Sequence, residues 1–340
     1  MYINRLFYFL YFLKKTNFHK FLSDINFVNK QFNKGRLYLI LDSIYSSFRY
    51  NISLEDYFIF SFFKKDHLER SKWAGTGYMY EYQKLMNLSD KVVSLEDKLI
   101  FLEKYNKFVK RDWFSISSIS DLKATIEYLI SKNQTKFVAK FSKGQTGSSV
   151  EIIYLSDIKD IDSLYKYFKN KNYNLIESFV EQNDYLANIS SSGLNTLRII
   201  TQINSNDEVE ILGARLRLTV NSPIDNLSAG NFAVALDVNT GAAISDGVYM
   251  NIQKLNIKKH PISLYDIKDI SIPNWKNIID FVKEVASLDK DLKSVGWDVA
   301  ILNDSLELIE GNHNWGKTLY QLPINQGCKD ILDQFKEGKG

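Results

Sequence analysis

Cysteine and histidine are scarce in this sequence of 340 residues. The single cysteine, Cys328, has no partner for an internal disulfide. With only four histidines beside it, the chain holds little material for a zinc or iron centre. A lone thiol favours a reducing compartment, so we expect a cytoplasmic protein.

Long hydrophobic runs are absent as well. The strongest apolar stretch, residues 6–13 (LFYFLYFL), has eight residues, whereas a helix that spans a bilayer needs about 20. No small-residue cleavage site follows it. We therefore expect neither a membrane span nor an export signal here.

The net charge is low and unevenly distributed. The sequence has 43 Lys and Arg against 40 Asp and Glu, a balance of +3, and neither an RNP-like motif nor a zinc-finger spacing, so we expect no nucleic-acid partner. Residues 1–36 nevertheless carry seven basic residues against Asp24 alone, a balance of +6. This aromatic, basic segment suits an anionic membrane surface. We favour the alternative, a helix packed on the domain behind it.

The spacing of apolar residues predicts an α+β fold with a helical N-terminal region. Residues 2–88 have apolar residues three and four apart, as in amphipathic helices. Two Ser-x-x-Asp spacings, at Ser53 and Ser94, predict helices that start one residue later. Pro273 is suited to the first position of a later helix.

Alternating and β-rich stretches dominate after residue 135. Two helices are expected in the middle of the chain, over residues 120–133 and 158–171. The predicted strands cover residues 136–141, 152–154, 174–177, 196–203, 209–219, 232–238, 297–302 and 306–310, the last two as a hairpin.

A glycine-containing loop follows the first of these strands, between Lys140 and Val150. Its backbone amides are suited to bind a phosphate, and Lys140 would neutralise charge. The Gly-Lys-Ser/Thr order of a Walker A loop is absent. Taken alone, this loop also fits an ordinary hairpin.

Oxygen-rich side chains gather in the final hairpin. Glu310 and Asn312 are two residues apart, so they leave one face of the strand, and Asp298 lies on the partner strand. Two carboxylates and an amide oxygen suit Mg²⁺, which completes its shell with water and phosphate. The alternative is a satisfied polar turn at the end of a sheet.

The loop and the hairpin together resemble the ATP-grasp superfamily, and more closely its sugar-transfer-associated branch, found among capsule and O-antigen biosynthesis proteins. The resemblance implies an ATP-grasp fold, with two α/β subdomains that grip ATP. It divides the chain into a helical region (1–93), an ATP-grasp domain (94–322, with subdomains about 115–176 and 177–322) and a C-terminal tail (323–340).

The resemblance also implies two sets of binding residues. It rests on LEDK (95–98), FVAK (137–140), GSSV (147–150), IESFV (176–180), GWDV (296–299) and EGN (310–312). ATP would be bound by Lys98 and Lys140 at its phosphates, by Gly147, Ser148 and Ser149 as a flap, by Glu177 and Val180 at adenine, and by Asp184 at ribose. Mg²⁺ would be held by Asp298, Glu310 and Asn312.

One position departs from the related peptide ligases. They often carry an arginine two residues before the first metal carboxylate, whereas this chain has Gly296. The candidates for binding the substrate carboxylate or its phosphorylated form are therefore Arg198, Arg215 and Arg217, because a guanidinium matches either group in a bidentate manner. Ordinary ion pairs are the alternative interpretation.

The resemblance implies an ADP-forming carboxylate–amine ligase that uses ATP and Mg²⁺. Its partners would be an amine and a small-molecule or glycan carboxylate, such as a sugar acid in surface polysaccharide biosynthesis. Two alternatives stay open: a kinase of a small molecule or sugar, and a non-catalytic nucleotide-binding module of a membrane-associated polysaccharide assembly complex.

Overall fold

The computed structural model describes residues 2–144, 150–223 and 225–336. It confirms the α+β class, with N-terminal helices followed by two antiparallel sheets. The helices are α1 (Tyr2–Lys15), α2 (Phe18–Phe32), α3 (Arg36–Tyr50), α4 (Leu54–Ile59), α5 (His67–Ser71), α6 (Thr76–Met86), α7 (Val93–Glu96), α8 (Lys98–Lys104), α9 (Ile119–Ser131), α10 (Ile161–Lys171), α11 (Asp184–Ile189), α12 (Trp275–Ser287), α13 (Lys317–Gln321) and α14 (Lys329–Asp333).

The strands follow the same chain order. They are β1 (Trp113–Ser115), β2 (Lys136–Lys140), β3 (Val150–Tyr154), β4 (Leu175–Ser178), β5 (Thr196–Ile203), β6 (Val209–Leu218), β7 (Phe232–Leu236), β8 (Val248–Tyr249), β9 (Ser294–Ile301) and β10 (Leu306–Asn312). Within the described ranges, no helix has the length and apolarity needed to cross a bilayer.

Helices α1 to α6 confirm the predicted helical region. Helix α4 starts at Leu54 as expected, because the Ser53 hydroxyl accepts from the Asp56 amide and the Asp56 carboxylate accepts from the Ser53 amide. An aromatic core holds these helices together, built from Tyr57, Phe58, Phe60, Phe62, Phe63 and Trp73 with Ile25, Val28 and Leu39.

Two predicted helix starts are wrong. Ser94 lies inside the short α7, and the residue that starts the next helix is Asp97, whose carboxylate accepts from the Leu99 amide at 3.0 Å. Pro273 stands two residues before α12, because Asn274 at φ 54° takes the N-cap position between them. The cap lies three residues after Ser94 in the first case and directly after Pro273 in the second.

The first sheet has the strand order β1-β4-β2-β3. Alternation in β2 places Phe137 and Ala139 on the buried face, as the sequence predicted. That face packs against Leu122, Ile126 and Leu129 of α9 and Phe168 of α10. The side chain of Lys140 lies on the opposite face of the strand.

The second sheet has the strand order β10-β9-β5-β6-β7-β8. One face packs on α12 and α8 in the main hydrophobic core, which includes Leu197, Leu216, Trp297 and Val299. Every residue of β5 and β9 is buried. The residues between these core positions therefore form a second buried face, and several of them are charged.

The segment from α13 to α14 packs against the N-terminal helices. The Gln321 side chain accepts from the Ala74 amide at 2.9 Å and donates to the Ala74 carbonyl at 3.0 Å. Cys328 and Leu332 are buried with Tyr78 in a core of their own. Residues that precede the second sheet in the chain and residues that follow it thus share one hydrophobic cluster.

Candidate functional site

A row of charged residues crosses the second sheet. Glu310 on β10 is paired with Asp298 on β9. Asp298 is also paired with Arg198 on β5, which in turn is paired with Arg215 on β6. Directly paired residues of antiparallel strands share a face, so all four side chains leave the sheet on the side opposite Trp297 and the main core.

Asp298 is ion-paired with two of the predicted arginines. Arg198 Nη2 and Arg217 Nη2 each lie 2.7 Å from Asp298 Oδ2, and Arg198 Nε contacts the other oxygen. Burial alone would raise the pKa of Asp298, but the two guanidinium groups outweigh it and hold that pKa below its ordinary value. Asp298 is therefore a fixed negative charge at the centre of the row.

Glu310 is the open member of this row. Its side chain is 43% exposed, whereas that of Asp298 is 1% exposed. Desolvation, reinforced by the neighbouring Asp298 charge, raises the pKa of Glu310 above its ordinary value. Asn312 Nδ2 donates to Glu310 Oε1 at 3.1 Å. These two side chains stand together at the accessible edge of the cluster.

The donor set fits a divalent cation. Asp225 pairs with Arg217 at 3.1 Å, so the carboxylates of Asp225, Asp298 and Glu310 lie together, and Glu310 is the most exposed of the three. Mg²⁺ is commonly held by one or two carboxylates together with water and phosphate. No group of three His, Cys, Asp or Glu suited to a metal occurs in the described ranges, so an ion here would need such outside ligands.

Gly296 makes room for Arg198. A Cβ atom at Gly296 would come within 2.9 Å of Arg198 Cδ and 2.6 Å of Trp315 Cβ. The aliphatic part of Arg198 therefore occupies the space that a larger side chain at position 296 would need. A guanidinium from the neighbouring strand thus reaches the carboxylate row in this chain.

A second group of charges lies at the end of the first sheet. Lys140 is ion-paired with Glu177 of β4. Lys98, the first residue of α8, donates through Nζ to the Gly144 carbonyl. Burial lowers the pKa of Lys98, with Glu310 opposing this shift and Lys140 adding to it. Lys98 therefore lies near charged residues of both sheets, Lys140 of the first and Glu310 of the second.

The flap residues Gly147, Ser148 and Ser149 lie outside the described residues. The segment just before them is well anchored. The Ser142 amide donates to Asn174 Oδ1 at 2.8 Å, and the Lys98 amide donates to the Ser142 carbonyl at 3.0 Å. Lys98 thus connects α8 to the start of the glycine-containing loop.

Arg111 connects the charged residues of the first sheet to β10 of the second. The sequence patterns did not indicate this residue. Its Nε and Nη2 lie 3.0 and 3.2 Å from the Glu177 carboxylate, and its Nη1 pairs with Glu307. The same guanidinium donates to the carbonyls of Leu308 at 2.7 Å and Ile309 at 3.1 Å. One buried side chain therefore ties β4 of the first sheet to β10 of the second.

The contacts of Arg111 fall on an irregularity in β10. The pairing of β10 with β9 shifts register between Leu308 and Glu310, which leaves Ile309 as an extra residue. Such bulges re-aim the side chain that follows. By fixing the two carbonyls at the bulge, Arg111 helps to set the direction in which Glu310 points.

Glu177 has a strongly perturbed acidity. Burial opposes its ionisation, but the charges of Arg111 and Lys140 outweigh this effect and lower the pKa of Glu177 to about 2. Its two oxygens are taken by these partners. The expected contact of Glu177 with adenine stays a prediction.

Comparison with known families decides what kind of protein carries this arrangement. The model of the sugar-transfer associated ATP-grasp family matches residues 78–337, more than half of the chain. The chain belongs to this family. Its fold is accordingly the ATP-grasp fold that the motifs predicted.

Solved structures of ATP-grasp enzymes show a distant likeness in fold to this ATP-grasp chain. One is the ligase PsnB complexed with a phosphomimetic variant of minimal precursor, Mg and ADP (10% identity, TM-score 0.44, 75% of this chain and 61% of that chain). Others are D-alanyl-alanine synthetase A from Vibrio cholerae O1 biovar eltor str. N16961 (10%, 0.44, 71% and 64%) and L-amino acid ligase from Bacillus licheniformis (13%, 0.39, 70% and 49%).

These likenesses carry no argument about activity. The chain spans less than two thirds of the length of each of the three structures, and identity and TM-score are low throughout. No curated protein matches the chain. What this ATP-grasp protein does must therefore be argued from its own residues.

Arg215 is placed differently from the other two candidate arginines of this ATP-grasp chain. Its side chain donates to the carbonyls of Ala214 and Leu319, at 2.8 and 3.1 Å, and to the carbonyl of Tyr320. Burial lowers the pKa of Arg215 to about 10. These contacts attach α13 to β6, so a substrate role for Arg215 stays a prediction.

Two predicted nucleotide contacts lie beyond the end of β4. Val180 is half-buried two residues after the strand, and Asp184 is exposed in the first turn of α11. The Asp184 amide donates to Asn303 Oδ1 at 3.1 Å, which places this turn beside the β9–β10 hairpin. Their roles at adenine and ribose remain predictions.

Proposed function

We propose that this ATP-grasp protein is an ADP-forming carboxylate–amine ligase that depends on ATP and Mg²⁺. The observation that carries the proposal is the row of Glu310, Asp298 and Arg198 with Lys98 in electrostatic range of it. A lysine, an accessible carboxylate and a guanidinium are thereby close to one another. These are the charges that phosphoryl transfer to a carboxylate requires.

The ATP phosphates lie, in this proposal, between the two sheets. Lys140 and Lys98 supply two cations where β2 leads into the glycine-containing loop, with Gly147, Ser148 and Ser149 as its flap. Val180 and Asp184, with Glu177, would form the adenine and ribose end. Burial lowers the pKa of Lys98, so loss of its solvation makes a phosphate partner more favourable to it.

Glu310 and Asn312 would hold Mg²⁺, with Asp298 behind them. When bound there, Mg²⁺ would supply positive charge to the phosphate groups. Asp298 keeps Arg198 and Arg217 extended across the sheet through its two oxygens. The guanidinium groups are thereby held beside the place where a carboxylate substrate would meet the γ-phosphate.

The proposed reaction has two steps that balance without a nucleophile from the protein. A carboxylate oxygen attacks the γ-phosphorus of ATP, the bond to the bridging oxygen breaks, and ADP leaves with that electron pair. An amine then attacks the carbonyl carbon of the acyl phosphate, loses a proton and expels phosphate, which leaves an amide. Arg198 and Arg217 would neutralise the acyl phosphate between the two steps.

The substrate class rests on the family description alone. Because the family is sugar-transfer associated, we propose that the carboxylate is a sugar acid or a related group used in surface polysaccharide biosynthesis. We place the reaction in the cytoplasm, where ATP is available. The catalytic domain would correspond to residues 94–322, following the helical region 1–93.

An ADP-release assay with paired carboxylate and amine libraries tests the proposal. We expect release that requires both partners and is abolished by leaving out Mg²⁺. Glu310→Gln should lower the rate at least about a hundredfold, since metal-mediated stabilisation contributes several kcal/mol. Glu103→Gln on the exposed face of α8 is the matched control.

The outcomes separate the alternatives. Release of ADP with a carboxylate or sugar but without an amine would identify a kinase. Binding of Mg·ATP in calorimetry without turnover of any pair would leave a nucleotide-binding module. Equal activity of Glu310→Gln and Glu103→Gln would remove the metal assignment.

A further inference from the structure

The first three helices leave an unusual amount of apolar surface uncovered. Of the 26 large hydrophobic residues that are exposed in the described part of the chain, ten lie between residues 6 and 45. These ten are Leu6, Phe7, Leu10 and Tyr11 on α1, Phe18 and Leu22 on α2, and Leu37, Tyr38, Leu41 and Tyr45 on α3. Scattered single residues would need no explanation, but such a concentration does.

Helix α1 has two apolar faces, and only one of them is used inside the protein. Phe9 packs on Phe48 with ring centroids 4.5 Å apart, and Phe12 is buried. Arg5 Nη1 donates to the carbonyls of residues 48 and 49 at 2.8 and 2.9 Å, which attaches α1 to the end of α3. Helix α1 therefore packs on the protein as expected, and its second apolar face is exposed.

The second face of α1 has the spacing of an interfacial helix. Leu10 and Tyr11 lie three and four residues after Phe7, and Lys14 lies one further turn along the same stripe. Phe7 is 67% exposed. On α3, Leu37, at 69% exposed, begins a similar stripe. An apolar stripe bordered by lysine is typical of helices that lie in a lipid headgroup region.

The exposed charges on α1 and α2 and at the start of α3 are basic, and the acidic residue of α3, Asp42, is ion-paired with Arg70. Residues 1–36 contain Asp24 as their only acidic residue, and Asp24 is buried. Lys14, Lys15, Lys30 and Arg36 are exposed. A second copy of this chain would bring like charges together, whereas an anionic bilayer would meet both the charge and the apolar groups.

We propose that the uncovered faces of α1, α2 and α3, which we call the N-terminal docking surface, bind the surface of an anionic membrane. Lys14, Lys15, Lys30 and Arg36 attract the anionic headgroups, and the ten apolar side chains enter the interface. The protein is held at the surface without crossing it. This docking surface is separate from the charged row on the second sheet and does not depend on the proposed reaction.

Co-sedimentation of the full chain with vesicles tests the docking surface. We expect binding to vesicles that mix phosphatidylglycerol with phosphatidylcholine, weak or no binding to phosphatidylcholine alone, and a clear loss between about 50 and about 500 mM salt. The double variant Lys14→Glu/Lys15→Glu should lower the partition coefficient at least about tenfold. Phe7→Ser/Leu10→Ser should lower it to a similar extent.

Matched controls use exposed residues far along the chain. Lys276→Glu/Lys283→Glu changes the same number of charges, and Ile130→Ser/Ile244→Ser removes apolar groups of similar exposure. Both should sediment like the wild type, and all four variants should melt within a few degrees of it. Absence of binding to anionic vesicles, or an equal loss in the controls, would overturn the proposal. So would a dimer in solution that Phe7→Ser/Leu10→Ser dissociates.

Discussion

At the scale of single residues, Glu310 is the side chain whose protonation controls the charged row. Desolvation and the Asp298 charge raise its pKa, so the folded protein binds this proton more tightly than the unfolded chain does. The stability that comes from this proton is present at low pH and is lost as the pH rises through the raised pKa. Ionised Glu310 therefore costs stability at neutral pH.

We predict that Glu310→Gln raises the melting temperature at pH 7 to 8 while it lowers ATP-dependent turnover. The stability gain should be below about 1 kcal/mol, because the side chain is partly exposed and solvent screens it. Melting curves of both proteins from pH 4 to pH 8 check this. The difference should close as the pH falls below the ordinary range of a glutamate. A constant difference across that range would contradict the assigned cause.

The residues of the row could be predicted from the sequence, but their mutual contacts could not. The two-residue spacing of Glu310 and Asn312 fixes their common face, because strand side chains alternate. That Arg198 would pair with Asp298 depends on the neighbouring positions of β5 and β9, which are about 100 residues apart in the chain and carry no local signal. The role of Arg111 could not be predicted for the same reason, since its partners Glu177 and Glu307 follow 66 and 196 residues later.

At the scale of elements, local signals worked where local contacts decide the structure. The strand predicted over residues 196–203 is β5 without change, because it is a continuous run of strand-forming residues buried on both faces. The cap at Ser53 is made within four residues, and it is present. Ser94 instead lies inside α7, and the cap of the next helix is made three residues later by Asp97, where the two short helices meet.

The ion pairs by which Arg111 connects β4 to β10 can be tested directly. We predict that Arg111→Met destabilises the fold by about 3–5 kcal/mol, because the buried carboxylates of Glu177 and Glu307 lose their common partner. Urea unfolding measures this loss. The double variant Arg111→Met/Glu307→Gln should recover part of it, since Glu307 is then uncharged while Glu177 keeps its ion pair with Lys140.

A second measurement distinguishes support of the site from stability alone. Because Arg111 also holds the carbonyls at the β10 bulge, the double variant should need a severalfold higher Mg²⁺ concentration for half-maximal ADP release. Unchanged Mg²⁺ dependence in a folded double variant would show that the bulge sets the direction of Glu310 without Arg111.

At the scale of the whole molecule, the segment after α13 is part of the core and cannot be treated as a tail in energetic terms. Leu332 is fully buried beside Tyr78, while its neighbour Ile331 is 40% exposed. We predict that Leu332→Ala costs about 2–5 kcal/mol of stability. Ile331→Ala should stay within about 1 kcal/mol of the wild type. Urea midpoints of the pair decide this, and equal values would contradict a shared core.

The two hydrogen bonds between Gln321 and Ala74 have a consequence for how the protein is made. The bonded residues are 247 positions apart, so a ribosome that adds about 5–20 residues per second needs roughly 12–50 s to synthesise the second after the first. During that time the helix that follows Ala74 has been made, but its partner has not. Part of the apolar surface of the N-terminal helices therefore stays uncovered until nearly the whole sequence has been synthesised.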